Sequence, residues 1–213
     1  MVSLCGEMLI DRLIGVFMRN NATRIHIIIN EEAPELEKHL AQLSETLPLD
    51  ILIKSTPSSL HSAWELMKTN PELDAVCLTT TDTVFKEEEF SAFIQEFEQN
   101  TELEGLMAVT SFIDDESPLF VTAGADNRIT AFTDANDTNT TFVSGGIYCL
   151  RKKAIETLHL SVENGVNRMR NFQRQLLENG VKLKAYPFSK IVDVDHVSDI
   201  QTAEAFLSAE TLA

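Results

Sequence analysis

Positive charge is in short supply in this sequence. Against 33 aspartates and glutamates stand 17 lysines and arginines, a formal net charge of −16. A protein that wraps a nucleic-acid backbone needs clustered Lys and Arg, so the balance argues against that class. It leaves a single nucleotide open as a ligand, because a triphosphate can be held by backbone N–H groups, one or two basic residues and Mg²⁺. Also lacking is any apolar run long enough to span a bilayer, and Met1 is not followed by a basic region and an apolar signal core. No membrane association is expected, and a reducing cytoplasm is the default location. Cysteine is scarce as well. Cys5, Cys77 and Cys149 are odd in number and share no metal-ligand spacing; Cys77 and Cys149 sit inside apolar runs and read as buried free thiols. Internal repeats and low-complexity stretches are absent.

What is present is an ordinary globular mix, 44% hydrophobic and 23% charged, in 213 residues. That length suits one α/β domain with a core of its own. Met8 to Phe17 carries apolar residues at helical spacing, and Arg24 to Asn30 is a nearly continuous β-branched run. Such runs belong to parallel strands covered on both faces. Pro34 to Leu43 predicts a helix with proline in its first turn. Ile51 to Ile53 predicts a strand, Ser58 or Ser59 a cap for a helix to about Met67, Ala75 to Thr79 a buried strand, and Glu87 to Gln99 a helix. This rhythm implies βαβ units. After Gly105 the texture changes. Strand-like pieces cover Leu106–Phe112, Leu119–Ala123, Ile129–Phe132 and Phe142–Leu150, with a hairpin turn at Gly124–Arg128 and a polar loop at Asp134–Thr141. Helices from Lys152 and over Asn167–Asn179 follow, then strands near Leu183–Pro187 and Ile191–Val194 and a helix over Ser198–Ser208. One domain, 1–213, is the economical reading, with an α/β half (1–105) and a more antiparallel half (106–213).

Ligands of open α/β sheets collect at the carboxyl ends of strands. Three polar features fall there: Thr79-Thr80-Thr81-Asp82, Ser144-Gly145-Gly146-Ile147-Tyr148, and Asp193-Val194-Asp195 with Asp199 beyond. Asp82 and Asp193 are the candidate metal pair, since a Mg²⁺ site for nucleotide chemistry needs only one or two carboxylates. Taken singly, Asp82 reads as a loop or cap residue, and Asp193, Asp195 and Asp199 as a solvated acidic turn at a helix start. Gly145 and Gly146 read also as a strand bulge. Ser58, Ser59 and Ser62 stand at a helix N-terminus, where hydroxyls bind a base edge or phosphate, or simply cap. Arg168, Arg170 and Arg174 read as a solvated helix face.

In combination these residues resemble a family. Gly6-Glu7-Met8-Leu9-Ile10-Asp11-Arg12 looks like the first-helix opening of the sugar-nucleotide pyrophosphorylase and cytidylyltransferase superfamily. Leu78 to Asp82 resembles its strand-end aspartate, Ser144 to Tyr148 its acceptor-binding strand, and Val192 to Asp195 with Asp199-Ile200 and Ala203-Glu204 its closing segment. The matches run in family order along essentially the whole chain. The resemblance implies a GT-A-like (Rossmann-like) nucleotidyltransferase fold with a mixed, mainly parallel central sheet. It implies NMP transfer from an NTP to a sugar-1-phosphate or similar phosphate monoester, with pyrophosphate released. Asp82 and Asp193, with Asp195 as a further candidate ligand, would hold Mg²⁺. Ser58, Ser59 and Ser62 would meet the base, and Ser144, Gly145 and Gly146 the acceptor. Residues 1–105 would then bind the nucleotide and residues 106–213 the acceptor.

The family's first strand, its Gly-rich phosphate loop and a Pro-Lys-Pro segment have no counterpart here; Met1-Val2-Ser3-Leu4-Cys5-Gly6 reads like the tail of that stretch. A start assigned too late is the favoured explanation. The alternative is a non-catalytic nucleotide- or sugar-binding module of the same fold. Either way little or no transferase activity is expected of this polypeptide, and unpaired sheet edges are expected to promote a homodimer.

Overall fold

The chain opens with a short hairpin that its apolar periodicity does not announce, β1 (Ser3–Leu4) against β2 (Glu7–Met8). Its two-residue turn, Cys5-Gly6, has φ of 50° and 84°, the doubly left-handed turn that matches strand twist. In this computed structural model residues 2–113, 117–136, 138 and 140–208 are described. After the hairpin come α1 (Leu9–Arg19), β3 (Ile25–Ile29), α2 (Pro34–Ser44), β4 (Leu49–Ile53), α3 (Ser59–Lys68) and β5 (Ala75–Leu78). Then follow β6 (Thr83–Val84), α4 (Glu87–Gln99), β7 (Gly105–Thr110), β8 (Phe120–Ala123), β9 (Ile129–Thr133) and β10 (Phe142–Arg151). The chain closes with α5 (Lys152–Glu163), α6 (Met169–Glu178), β11 (Leu183–Phe188), β12 (Val192–Asp193) and α7 (Val197–Ser208).

Local chemistry sets the ends of these elements. Pro34 occupies the first turn of α2, and Ser58 caps α3 by accepting from the His61 N–H. Beyond α6, Gly180 adopts φ 66° while the Val181 N–H returns to the Leu176 carbonyl at 2.9 Å, a glycine-terminated helix end. The polar stretch Asp134–Thr141 is loop wherever it is described; residues 137 and 139 lie outside the described residues.

β10 organises the larger sheet. It pairs antiparallel with β7, β5 and β8, while β11 runs parallel to β7 and β9 antiparallel to β8. β3 and β4 form a parallel pair of their own, and β6 pairs antiparallel with β12. The sheet is mixed, as expected, but its parallel share is smaller than expected. Parallel pairing is confined to β3–β4 and β11–β7, because β3 and β5 share no strand among the described residues and a groove lies between them.

Helices cover both faces. On one, α3, α5 and α6 bring Leu60, Met67, Leu158, Phe172 and Leu176 against Tyr148 and Leu150. On the other, α1 and α4 bring Leu13, Phe90, Phe93 and Phe97 against Cys149 and Leu106, with Phe85 stacked on Phe90 at 5.0 Å. The opposite edge of α1, Ile10 and Ile14, packs with Ile27, Ile29, Leu40 and Leu49. Ala75–Thr79 departs from expectation. It reads as a buried strand, yet Ala75 is exposed and Val76, Cys77 and Leu78 are half-buried, because β5 has the groove on its outer edge.

Candidate functional site

Folding brings Asp82 and Asp193 to neighbouring rungs of one ladder. β6 follows Asp82 directly, and β6 pairs with β12 so that Asp193 stands opposite Thr83. The Val194 N–H extends the ladder by donating to the Asp82 carbonyl at 3.0 Å. Asp82 lies at the carboxyl end of β5, where its Oδ1 is buried without a hydrogen-bond partner; Thr79 Oγ1 is in the same condition. Buried acceptors without donors are costly, so two such atoms at one strand end mark a place suited to a group from outside the protein. Asp193 is exposed and lines the mouth of the groove with Thr80, Thr81, Ser144 and Gly146.

The second strand of the site carries a bulge. Register between β10 and β7 shifts between Ser144 and Tyr148, which accommodates Gly145 and Gly146. Gly146 needs its missing side chain for φ 75° and lies under Thr83, whose Oγ1 would be 3.9 Å from a Cβ there. Gly145 needs it for packing, since a Cβ would fall 2.2 Å from Ile191 Cδ1 and 3.2 Å from the Ala108 carbonyl oxygen. Below the bulge, Ser144 Oγ donates to Gln173 Oε1 at 3.0 Å and Gln173 Nε2 donates to the Tyr148 hydroxyl at 3.3 Å. Burial pushes the Tyr148 phenol up to about 12, against the Ser144 hydrogen bond and with a smaller push from the Asp193 charge. Gln173 was not singled out from the sequence. Its signal was there: a glutamine within the apolar stripe Met169, Phe172, Gln173, Leu176 of α6 is a polar group in a core position.

At the start of α3 the serines divide. Ser58 is the cap, its Oγ also 2.9 Å from His61 Nδ1. Ser59 and Ser62 line the groove, and Ser62 Oγ is 2.7 Å from Thr56 Oγ1 in the segment just before α3. Asp195 adds no third carboxylate to the pair. Among the described residues no group of three or more His, Cys, Asp or Glu is placed to share an ion. Asp195 is exposed, and its backbone N–H, with that of His196, donates to Asp199 Oδ2 at 3.1 and 2.7 Å. These bonds, the one from His196 first, hold the Asp199 carboxyl below its usual range, as at a capped helix start. Arg170 and Arg174 depart from the solvated face expected of them: both are half-buried and grip Asp134 at 2.7 Å. Arg168, at the start of α6, reaches the groove.

The groove measures about 960 Å³ and runs from the amino ends of β3 and β5 to Thr79–Thr81 and Asp193. A sheet with helices on both faces and a groove opening at strand ends beside Asp193 is the setting in which α/β proteins bind their ligands. A model of nucleotidyl transferases matches residues 1–210. The chain belongs to the nucleotidyl transferase family. Among solved structures, this transferase chain is similar to CMP:2-keto-3-deoxy-manno-octonic acid synthetase complexed with CTP, at a TM-score of 0.75 and 13% identity. That match covers 98% of this chain and 91% of the other. It is similar also to the inositol-1-phosphate CTP transferase of T. maritima, at 0.77 and 16%, covering 97% and 86%. At these identities the likeness establishes a Rossmann-like nucleotidyltransferase fold. No curated protein matches the chain in sequence. Among the described residues no helix is long and apolar enough to cross a membrane.

Proposed function

We propose that this chain is the working part of a transferase that moves NMP from an NTP to a phosphate monoester. An acceptor phosphate oxygen forms a bond to the α-phosphorus, the α–β phosphoanhydride bond breaks, and pyrophosphate leaves. Such chemistry asks the protein mainly for positioning and charge neutralisation. The observation that supports this most is Asp82, whose buried Oδ1 has no hydrogen-bond partner, one rung along the ladder from Asp193 at the groove. Those residues fit Mg²⁺, with phosphate oxygens and water completing the shell. When bound, the ion would neutralise charge on the phosphates.

The remaining residues take roles by position. Ser59 and Ser62, at the N-terminus of α3, face the groove from the nucleotide half and suit a base edge. Ser144 and Gly146 face it from the acceptor half, and Arg168 is the basic side chain placed to meet the acceptor phosphate. Ser58 acts as a cap and Gly145 as a packing residue; neither is assigned a ligand. CTP is the nucleotide to try first, since one similar structure holds CTP and the other is a CTP transferase. Little or no turnover is expected of this polypeptide, because no Gly-rich basic loop that would grip a triphosphate is read in its sequence.

Calorimetric titration of CTP with and without Mg²⁺, alongside a pyrophosphate-release assay on a panel of sugar and polyol phosphates, tests this. Mg²⁺-dependent CTP binding that weakens at least about tenfold in Asp82→Asn and Asp193→Asn is the expected result. Binding indifferent to both substitutions would remove the site. Rapid pyrophosphate release by this polypeptide would overturn the expected inactivity. Binding without release once a phosphate-gripping segment is supplied would favour the non-catalytic nucleotide-binding module.

A further inference from the structure

Two thiols meet across the ladder between β5 and β10. Cys149 stands directly opposite Cys77, and directly opposed residues of an antiparallel pair project from the same face of the sheet. That face is the one under α1 and α4. Cys149 belongs to the cluster with Leu13, Phe90 and Phe97, and Cys77 packs against it.

The spacing of the pair follows from the parity of the ladder. On the other side of β10, Leu150 stands opposite Gly105. The Arg151 N–H donates to the Glu104 carbonyl, while the Gly105 N–H turns away to the Lys182 carbonyl. This gives the N–H groups of Arg151 and Cys149 to β7 and those of Leu150 and Tyr148 to β5. Toward β5, therefore, Leu150–Val76 and Tyr148–Leu78 are hydrogen-bonded pairs, and Cys149–Cys77 between them is a non-hydrogen-bonded one. Such a pair holds its Cα atoms about 4.5 Å apart and its side chains closer than the pairs on either side. A disulfide spans Cα separations of about 4.4–6.8 Å. The backbone already stands at bridging distance.

The two thiols differ in access. Cys149 is buried, whereas Cys77 is half-buried and lines the groove. Burial, and after it the neighbouring Cys77 thiol, push the Cys149 thiol well above its usual range. Cys149 is thus kept protonated, and Cys77 is the thiol that a small oxidant in the groove meets first.

We propose that Cys77 and Cys149 are a reversible redox pair that hydrogen peroxide closes into a cross-strand disulfide. Cys77, as thiolate, attacks one peroxide oxygen; the O–O bond breaks, leaving a Cys77 sulfenic acid and hydroxide, which takes up the proton Cys77 had lost. The Cys149 sulfur then attacks the Cys77 sulfur. An S–S bond forms, the S–O bond breaks, and the departing hydroxyl takes the Cys149 proton and leaves as water. Two thiols are oxidised, and one peroxide is reduced to two waters. A thiol reductant reopens the bond by exchange. Among the described residues β5 is hydrogen-bonded along one edge only, to β10, so the bond fastens the strand that leads into Thr79 and Asp82. It also joins residues far apart in the chain, which constrains the unfolded state and makes the oxidised form the more stable.

The test reads no transfer activity and uses the Cys5→Ser chain, since Cys5 is exposed. After a small excess of hydrogen peroxide its mass is expected to fall by two hydrogens, with no link between chains. Peptide mapping should find Cys77 joined to Cys149. The Tm is expected to rise by at least about 5 °C and to return on addition of dithiothreitol. In a further Cys149→Ala variant peroxide should leave a Cys77 sulfenic acid that dimedone traps. In a Cys77→Ser variant oxidation of Cys149 should be at least about tenfold slower than that. The mapping needs neither variant and decides by itself. A Cys77 sulfinic acid beside a free Cys149 thiol, a Cys77 link between two chains, or thiols that peroxide leaves untouched would each overturn the proposal.

Discussion

β5 and β7 flank the same stretch of β10, and one is sealed while the other is not. Tyr148, Cys149 and Leu150 stand opposite Leu78, Cys77 and Val76 on one side and opposite Met107, Leu106 and Gly105 on the other. Every residue of β7 is buried; no residue of β5 is. Composition does not explain this, since Ala-Val-Cys-Leu is as apolar as Gly-Leu-Met-Ala-Val-Thr. The lateral neighbour does. β7 has β11 on its outer edge, paired residue for residue from Leu183↔Gly105 to Phe188↔Thr110, and β5 has the groove. Burial of a central strand is completed from the side as much as from above and below.

Substitutions can break or sharpen that contrast. Met107→Ala, in the sealed strand, is expected to cost about 2–5 kcal/mol, a fall in Tm of roughly 5–15 °C. Tyr148, which faces both strands, reports through pH. Its folded phenol at about 12 lies above the unfolded value of about 10, so the folded state keeps a proton that the unfolded state releases. That contribution is complete below about pH 10 and is lost as pH rises toward 12, a span worth about 2–3 kcal/mol. Urea unfolding of the parent and Tyr148→Phe at about pH 9 and pH 11.5 should show the parent losing more stability between the two conditions by about 2 kcal/mol, most of that span. Val76→Ala, in the open strand, is expected to cost only about 1 kcal/mol; a loss equal to that of Met107→Ala would show β5 to be sealed in solution. Asp82→Asn, at the end of β5, is expected to leave Tm unchanged or slightly raised, since it removes a carboxylate with an orphaned buried oxygen, even as Mg²⁺-dependent CTP binding falls.

Most of the elements were legible in the sequence because each rests on local chemistry. Pro34, Ser58 and Gly180 fix helix ends, and Gly124–Arg128 closes the β8–β9 hairpin through the Gly124 N–H to the Arg128 carbonyl at 2.9 Å. The opening hairpin escaped notice because two-residue strands carry no periodicity. The pairing of residues 82 and 193 was legible only through resemblance, since nothing local to either residue specifies β6 against β12. The site's supports were less visible still. Gln173 and Thr56 act through partners far along or across a turn, and Arg170 and Arg174 owe their burial to Asp134, a loop residue whose position no window of sequence reveals. The half-exposure of β5 was illegible in principle, because the apolar pattern of a strand records what it is suited to touch rather than what lies beside it.

The separateness of β3 and β4 bears on cooperativity. Among the described residues their ladder hydrogen bonds run only to each other, so the segment from Ile25 to Ile53 communicates with the remaining sheet through side-chain packing under α1 and α3. A unit coupled in this way opens at lower free energy than the sheet around β10. Thermal unfolding of the polypeptide is then not an all-or-none event, and a van't Hoff enthalpy taken from one probe understates the calorimetric one.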